Sequence, residues 1–209
     1  MIRSLLEFRM KGFAGSRFDR CVSSNMRRVL LIGKRASVLT SLQSALREVG
    51  IEADLTQAVT AVRPDGLRQY DAIAFGRAVK EDDRARMRAV FTAANPSAIF
   101  IDGLAPITPL LVAQFEEALG ALDGREPQIG HVRASIDRLD FELRAPTRVH
   151  AAAYNLTLLY RARVLQLLDR RLEAGPHHLP LARRSRWVRE VFVVLRADDR
   201  EVRVIQLPR

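Results

Sequence analysis

Cysteine is all but missing from this chain: Cys21 stands alone among 209 residues. A single thiol excludes an intrachain disulfide and any C-x-x-C redox or zinc pairing, and it is the usage expected of a reducing compartment. Long apolar runs are missing as well. No stretch approaches the roughly 20 apolar residues of a membrane-spanning helix. Near the N-terminus Leu5, Leu6 and Phe8 are broken up by Glu7, Arg9 and Lys11, too short and too charged a run for a secretory signal core. The expectation is a cytoplasmic protein with no membrane partner.

The motifs of several enzyme classes are also lacking. Neither G-x-G-x-x-G nor G-x-x-x-x-G-K-[ST] occurs, so the glycine-rich phosphate cradles of dinucleotide and nucleoside triphosphate sites are not spelled out. G-x-S-x-G is absent, which removes support for a nucleophile-elbow hydrolase. The four histidines, His131, His150, His177 and His178, have no metal-ligand spacing, and neighbours on a strand point to opposite faces. No metal site is expected. Lysine is scarce, with only Lys11, Lys34 and Lys80, so the net charge of +10 is carried by arginine. Residues 26–125 hold 13 basic and 12 acidic side chains and are nearly balanced. The excess lies in the two ends, a pattern closer to a general preference for arginine than to a phosphate-binding surface, and nucleic acid is a disfavoured partner.

What the chain does contain is a repeated strand and helix grammar. Met26 to Gly33 is an apolar run ending in glycine, the signature of a strand buried on both faces of a parallel sheet. Residues 1–25 precede it as a basic N-terminal extension outside the fold. Ser37 can cap a helix whose Val38, Leu39, Leu42, Leu46 and Val49 share a face, with Gly50 as its stop. Ile51 to Leu55 reads as a second strand, Thr60 to Gln69 as a weak helix and Asp71 to Gly76 as a third strand. Lys80 to Ala94 reads as a helix with Met87, Val90 and Phe91 inward and Glu81, Asp82 and Asp83 at its favourable N-terminal end. Ser97 to Gly103 is a fourth strand, and Ile107 to Leu119 a helix burying Ile107, Leu110, Leu111, Phe115 and Leu119. Parallel strands need crossover helices, so residues 26–121 are predicted to form a doubly wound α/β sheet, Rossmann-like or flavodoxin-like.

Leu122 to Gly130, rich in turn formers, reads as a linker. Beyond it the period changes to two: Val132, Ala134 and Ile136, then Leu139, Phe141 and Leu143, alternate with polar residues, as do Arg148 to Thr157 and Val191 to Leu207. Residues 131–209 are predicted to form a small antiparallel β-sandwich, with a hairpin turn at Ala197-Asp198-Asp199-Arg200. Leu158 to Glu173 accepts helical spacing equally well.

Two resemblances bear on these halves. Phe141-Glu-Leu-Arg-Ala-Pro-Thr-Arg-Val149, Tyr154-Asn-Leu, the run from Val164 through Leu-Glu-Ala-Gly175, and His178-Leu-Pro-Leu together resemble the immunoglobulin-like sandwich of flagellar hook-capping proteins and bacterial secretion-sorting tails. The likeness covers about residues 135–209 and departs at Leu181 to Arg189, where Leu-Ala-Arg-Arg-Ser-Arg-Trp replaces the family's Trp-Asp-Gly turn. It implies a fold, with Leu158 to Glu173 as strand, and does not imply sorting. The N-terminal half resembles a degenerate receiver domain of response regulators. Lys34 and Arg35 stand where that family needs its acidic cluster, and Gly76-Arg77 where it needs the phosphoacceptor aspartate, so phosphoryl transfer by that chemistry is not implied.

Ligands of open parallel sheets bind beyond the carboxyl ends of the strands. Gly33, Gly76 and Gly103 fall there, with Lys34, Arg35, Ser37, Arg77 and Asp102 beside them, and this set is the candidate ligand site. Basic residues at a helix N-terminus favour an anion, and a nucleotide or dinucleotide is the cofactor class in view. The plainer alternatives are that the glycines merely end strands and that Asp102 caps a turn. Arg183, Arg184, Arg186 and Trp187 form the densest basic cluster, fit either to stack on bases or hold an acidic partner, or to lie in a loop with Trp187 in the core. No acid, base, nucleophile or metal set is assembled, which favours a non-catalytic binding or regulatory protein, with a protein partner or homo-oligomer open to it. The rival readings are a nucleotide-cofactor enzyme and a protein that binds nucleic acid or an acidic partner through its arginine-rich C-terminal half.

Overall fold

The computed structural model describes residues 26–57, 64–103, 105–157, 161–181, 188–198 and 200–208. Four strands build the first sheet: β1 (Arg28–Ile32), β2 (Glu52–Thr56), β3 (Ala72–Phe75) and β4 (Ile99–Asp102). All pair in parallel, in the order β2-β1-β3-β4. Of the two expected orders this is the flavodoxin-like one, since the chain leaves β1 toward β2 and returns across it to β3. β1 and β3 are therefore central, and their runs Val29–Ile32 and Ala72–Phe75 are buried throughout. The direction of winding switches between them.

Helices cover both faces. On one, α2 (Glu81–Ala94) and the 3-10 turn Pro64–Gln69 pack Met87, Phe91 and Leu67 against Leu30, Ile32, Ile73 and Phe75. On the other, α1 (Ala36–Glu48) and α3 (Thr108–Gly120) pack Leu39, Leu42, Leu46, Leu111 and Phe115 against Val29, Leu31, Ala74 and Ile101. Phe115 is 1% exposed, and truncating such a side chain to alanine costs about 3–5 kcal/mol. Gly50 ends α1 at φ 80, where only glycine is unstrained.

Two expectations about helix faces are corrected. Val49 follows the last turn of α1 and is exposed, as is Val90 on α2, because their neighbours Leu46 and Phe91 already reach the sheet. Ser37 does not cap α1. The helix starts two residues earlier than a Ser37 cap would place it, with Arg35 in the capping position in extended conformation and without a side-chain cap bond.

α3 is buried on two sides. Its Leu110 and Ala113, with Ile107 and Ala105, meet Leu156, Phe192, Val194 and Val202 of the antiparallel half. A helix apolar around most of its circumference belongs inside a protein, and here it lies between two sheets. The second sheet contains β11 (Glu201–Gln206), β10 (Val188–Ala197), β7 (Thr147–Thr157) and β8 (Ala162–Leu172), in that order. A third sheet, β5 (Ile129–Ala134), β6 (Arg138–Leu143) and β9 (Gly175–Pro180), ordered β5-β6-β9, closes the sandwich over Leu139, Phe141, Val149, Val193 and Leu195. The protein is thus an α/β sheet followed by a small antiparallel β-sandwich.

From Ala162 to Leu172 the ambiguous run is strand: β8 pairs antiparallel with β7 from Thr147↔Leu172 to Leu156↔Ala162, and residues 158–160 lie outside the described residues. Its helical spacing is not used, because the edge of the sheet offers a row of unpaired backbone groups and helix formation there would leave β7 uncovered. Ile136 is not a strand residue; it sits 60% exposed in the tight turn between β5 and β6, where Ser135 Oγ bonds Asp137 and the carbonyl of Arg138. The expected hairpin joins β10 to β11, with Ala197 opposite Glu201 and Asp198 at φ 46. Among the described residues no helix is long and apolar enough to cross a membrane.

Candidate functional site

At the carboxyl ends of β1 and β3 a crevice of about 770 Å³ opens to solvent. It lies at the topological switch point, and its size is within the ~300–1,000 Å³ range of small-molecule sites. The floor is the strand ends with Gly33, Gly76 and Gly103. One wall is α1, through Val38, Leu39 and Leu42, and the other comes from Leu111 and Phe115 of α3 with Ala105 and Pro106. Lys34 and Arg35 are exposed at the rim, and Arg189 of β10 brings the sandwich to the same opening.

Of the residues expected there, the crevice is lined by Gly33, Lys34, Arg35, Gly76, Arg77 and Gly103. Ser37 is not among them; as the second residue of α1 it is exposed. Asp102 is not either. Its carboxylate accepts bonds from Arg84 at 3.2 Å and Arg88 at 2.6 Å, both on α2. The last residue of an edge strand is open to the nearer helix, and two guanidinium groups outcompete a solvated turn. Arg183, Arg184, Arg186 and Trp187 lie outside the described residues.

The three glycines do not form a phosphate cradle. Gly33 N–H donates to Thr56 O at 3.2 Å, Gly76 N–H to Ile32 O at 2.8 Å and Gly103 N–H to Phe75 O at 3.0 Å, so each amide continues the ladder to the adjacent strand. What glycine supplies at Gly33 is room, since a Cβ there would come within 3.1 Å of Leu39 Cδ2.

Arg77 is not a spare cation. Its two terminal nitrogens donate to the two carboxylate oxygens of Glu190 at 3.2 and 3.1 Å, a forked pairing that neutralises its charge. Glu190 is 4% exposed, and Arg189 Nε lies 3.7 Å from the same carboxylate. Lys34 and Arg35, by contrast, enter no ion pair among the described residues. The positive character of the mouth therefore comes from these two and from Arg189, since one Glu190 carboxylate offsets only one of the two arginines beside it.

Glu190 and Arg189 were not anticipated as part of the site. One signal for Glu190 was available: an acid inside Val188–Leu195, otherwise a strongly apolar strand, needs a partner if it is buried. Nothing local names that partner as Arg77. The same holds for Arg196 with Glu116 of α3, paired at 2.6 Å, and for Val204 N–H, which donates to Glu117 at 3.2 Å. These contacts tie the sandwich to the helix that walls the crevice.

Among the described residues no cluster of three histidine, cysteine or carboxylate side chains is placed to hold an ion. His177 and His178 point apart: His177 packs on Phe141 with ring centroids 5.5 Å apart, and His178 bonds Asp140 at 2.7 Å, holding that carboxyl below its usual range.

No protein-family model and no curated protein matches the chain. Among solved structures it is similar to the crystal structure of a protein of Burkholderia pseudomallei described as pilus assembly-related, at 20% identity over 43% of this chain and 72% of that one, with a TM-score of 0.33.

Proposed function

We propose that this is a non-catalytic binding or regulatory protein whose α/β half, flavodoxin-like and akin to a degenerate receiver, holds a small anionic ligand at the β1/β3 switch point. One observation carries the reading: the crevice has cations at its mouth and, among its described lining residues, no carboxylate, imidazole, hydroxyl or thiol. An enzyme needs such groups within reach of each other and of the reacting atoms, which counts against the rival reading of a nucleotide-cofactor enzyme. We read the sandwich as immunoglobulin-like. In support, the seven strands among its described residues in chain order give one sheet of first, second and fifth and another of seventh, sixth, third and fourth, a Greek-key arrangement with the sixth strand inside the larger sheet.

The test is a thermal-shift panel on the full chain with inorganic phosphate, simple carboxylates, ATP, NAD, NADP, flavins and S-adenosylmethionine. A ligand at 100 times its Kd stabilises by about 2.7 kcal/mol, roughly 5–10 °C for a chain of this size. A shift with an anion that disappears in the Lys34→Ala/Arg35→Ala variant supports the reading. Turnover of a bound cofactor sinks it in favour of the enzyme, and silence from every anion sinks the site.

A further inference from the structure

The chemistry of the crevice narrows the ligand further than its charge does, on the premise that the crevice is an anion site. Every described lining side chain is either apolar or basic, and the basic ones stand at the mouth. Inside, Val38, Leu39, Leu42, Leu111 and Phe115 line it with hydrocarbon above Leu31 and Ala74 of the strands. At the strand ends the N–H groups of Gly33, Gly76 and Gly103 are spent on the sheet.

A nucleotide fits these walls badly. Its ribose hydroxyls would look for a carboxylate, and Asp102, the one acid at the strand ends, is committed to Arg84 and Arg88. Its base would look for hydrogen-bonding side chains, and the walls have none. A polar group moved from water into such a space without a partner weakens binding. With Arg77 held by Glu190, the charged donors of the mouth are Lys34 and Arg35, with Arg189 beside the same carboxylate.

We infer that the crevice takes an amphipathic monoanion, a straight-chain carboxylate whose apolar body lies along the α1 and α3 walls and whose headgroup meets Lys34 and Arg35. This occupant satisfies both halves of the site: hydrocarbon replaces water against hydrocarbon, and a single charge sits at the solvated rim where it keeps part of its hydration.

The experiment is calorimetric titration of the full chain with hexanoate, octanoate and decanoate below their micellar concentrations, with the matching primary alcohols, ATP and inorganic phosphate as comparisons. Each methylene buried should tighten binding roughly threefold to fourfold, so Kd should fall about tenfold from octanoate to decanoate. The acids should bind more tightly than the alcohols, by a factor that shrinks as salt rises. Lys34→Ala/Arg35→Ala should remove the preference for acid over alcohol, and Val38→Trp, which fills the crevice from a half-buried position of α1, should weaken acid and alcohol alike. Binding of ATP or phosphate with no dependence on chain length would overturn this inference while leaving the anion site standing. Chain-length dependence indifferent to both variants would show adsorption elsewhere and overturn it as well. No binding by any probe would overturn the inference and the anion site together.

Discussion

Arg77, just past the end of β3, and Glu190, on β10 of the sandwich, form a two-pronged ion pair across 113 residues of sequence, with nitrogen to oxygen distances of 3.1 and 3.2 Å. It is the polar counterpart of the apolar contact that α3 makes with the same sheet. Glu190 follows the side-chain parity of Phe192 and Val194, which face α3. Arg77→Ala would leave a buried carboxylate without its main partner. The loss should be about 2 kcal/mol, below the 3–5 of a fully buried pair because Arg77 is 44% exposed and the remaining Arg189 is close. Urea midpoints for Arg77→Ala, Glu190→Gln and the double variant form the check. If the two losses simply add, the pair is not coupled.

The same pair predicts a separation of effects at the crevice. Removing both partners, as in Arg77→Ala/Glu190→Gln, should lower stability with little change in anion affinity, since the two charges cancel, whereas Lys34→Ala/Arg35→Ala should do the reverse, both residues being exposed. Parallel thermal melts and binding titrations decide it. A large loss of affinity in Arg77→Ala/Glu190→Gln would mean that Arg77 leaves Glu190 to meet the ligand.

Tyr70 should make the protein sensitive to alkali. Burial, and then a 2.8 Å hydrogen bond to Asp54, push its phenol up to about 12 from an ordinary 10. The neutral phenol is the form that the fold favours. Its contribution is therefore complete below pH 10 and is lost as pH rises toward 12, to the extent of about 2 kcal/mol. Tyrosinate absorbance against pH, compared with the unfolding midpoint of Tyr70→Phe, tests this; equal alkaline loss in the two proteins would refute it.

Glu117 works in the opposite sense at neutral pH. Burial between α3 and β11 raises its carboxyl above the usual range, and the Val204 amide only partly offsets that. A raised acid contributes stability while protonated and loses it as pH rises through its folded value. Glu117→Gln keeps an acceptor for Val204 and cannot ionise. It should therefore match or exceed the parent in stability at pH 7, an advantage that vanishes at acid pH. A variant less stable at pH 7 would show that the nearby Arg203 needs the charge.

Gly175, at the start of β9, has φ 119, a region that side chains rarely enter, with nothing within 4 Å of a hypothetical Cβ. Gly175→Ala should cost about 1–2 kcal/mol through the backbone alone. Gly120→Ala, in similarly open space at ordinary helical angles, should be neutral or slightly stabilising. Equal effects in chemical denaturation would remove the conformational explanation.

Much of the architecture was readable from local patterns. The unbroken apolar runs of β1 and β3 can only be covered on both faces, so a parallel sheet with crossover helices followed from Val29–Ile32 and Ala72–Phe75 themselves. The period of two after Gly130 likewise implied antiparallel strands with one wet face, as β6 shows in the alternation of Leu139, Phe141 and Leu143 with exposed neighbours. The glycines and cations at the strand ends marked the rim of the crevice because parallel strands bring their carboxyl ends together whatever their order. Local pattern misled where it had to choose between partners. Ser37 is a good capping residue, yet the end of β1 and the fit of Leu39 over Gly33 start the helix two residues sooner.

The tertiary structure alone decided the rest. Strand order depends on which side of β1 the chain returns to after β2, a matter of long-range packing that leaves no trace in the apolar period. That α3 has a second buried face follows from the sandwich beside it, and Leu110 looks no different in sequence from a residue at a helix margin. The charges are the clearest case. Asp102, Arg77 and Glu190 each announce only that they need a counter-ion, and a Coulomb partner is set by distance in space. Folding gave Asp102 to α2, joined Arg77 to Glu190, and left Lys34 and Arg35 at the mouth of the crevice outside any ion pair among the described residues.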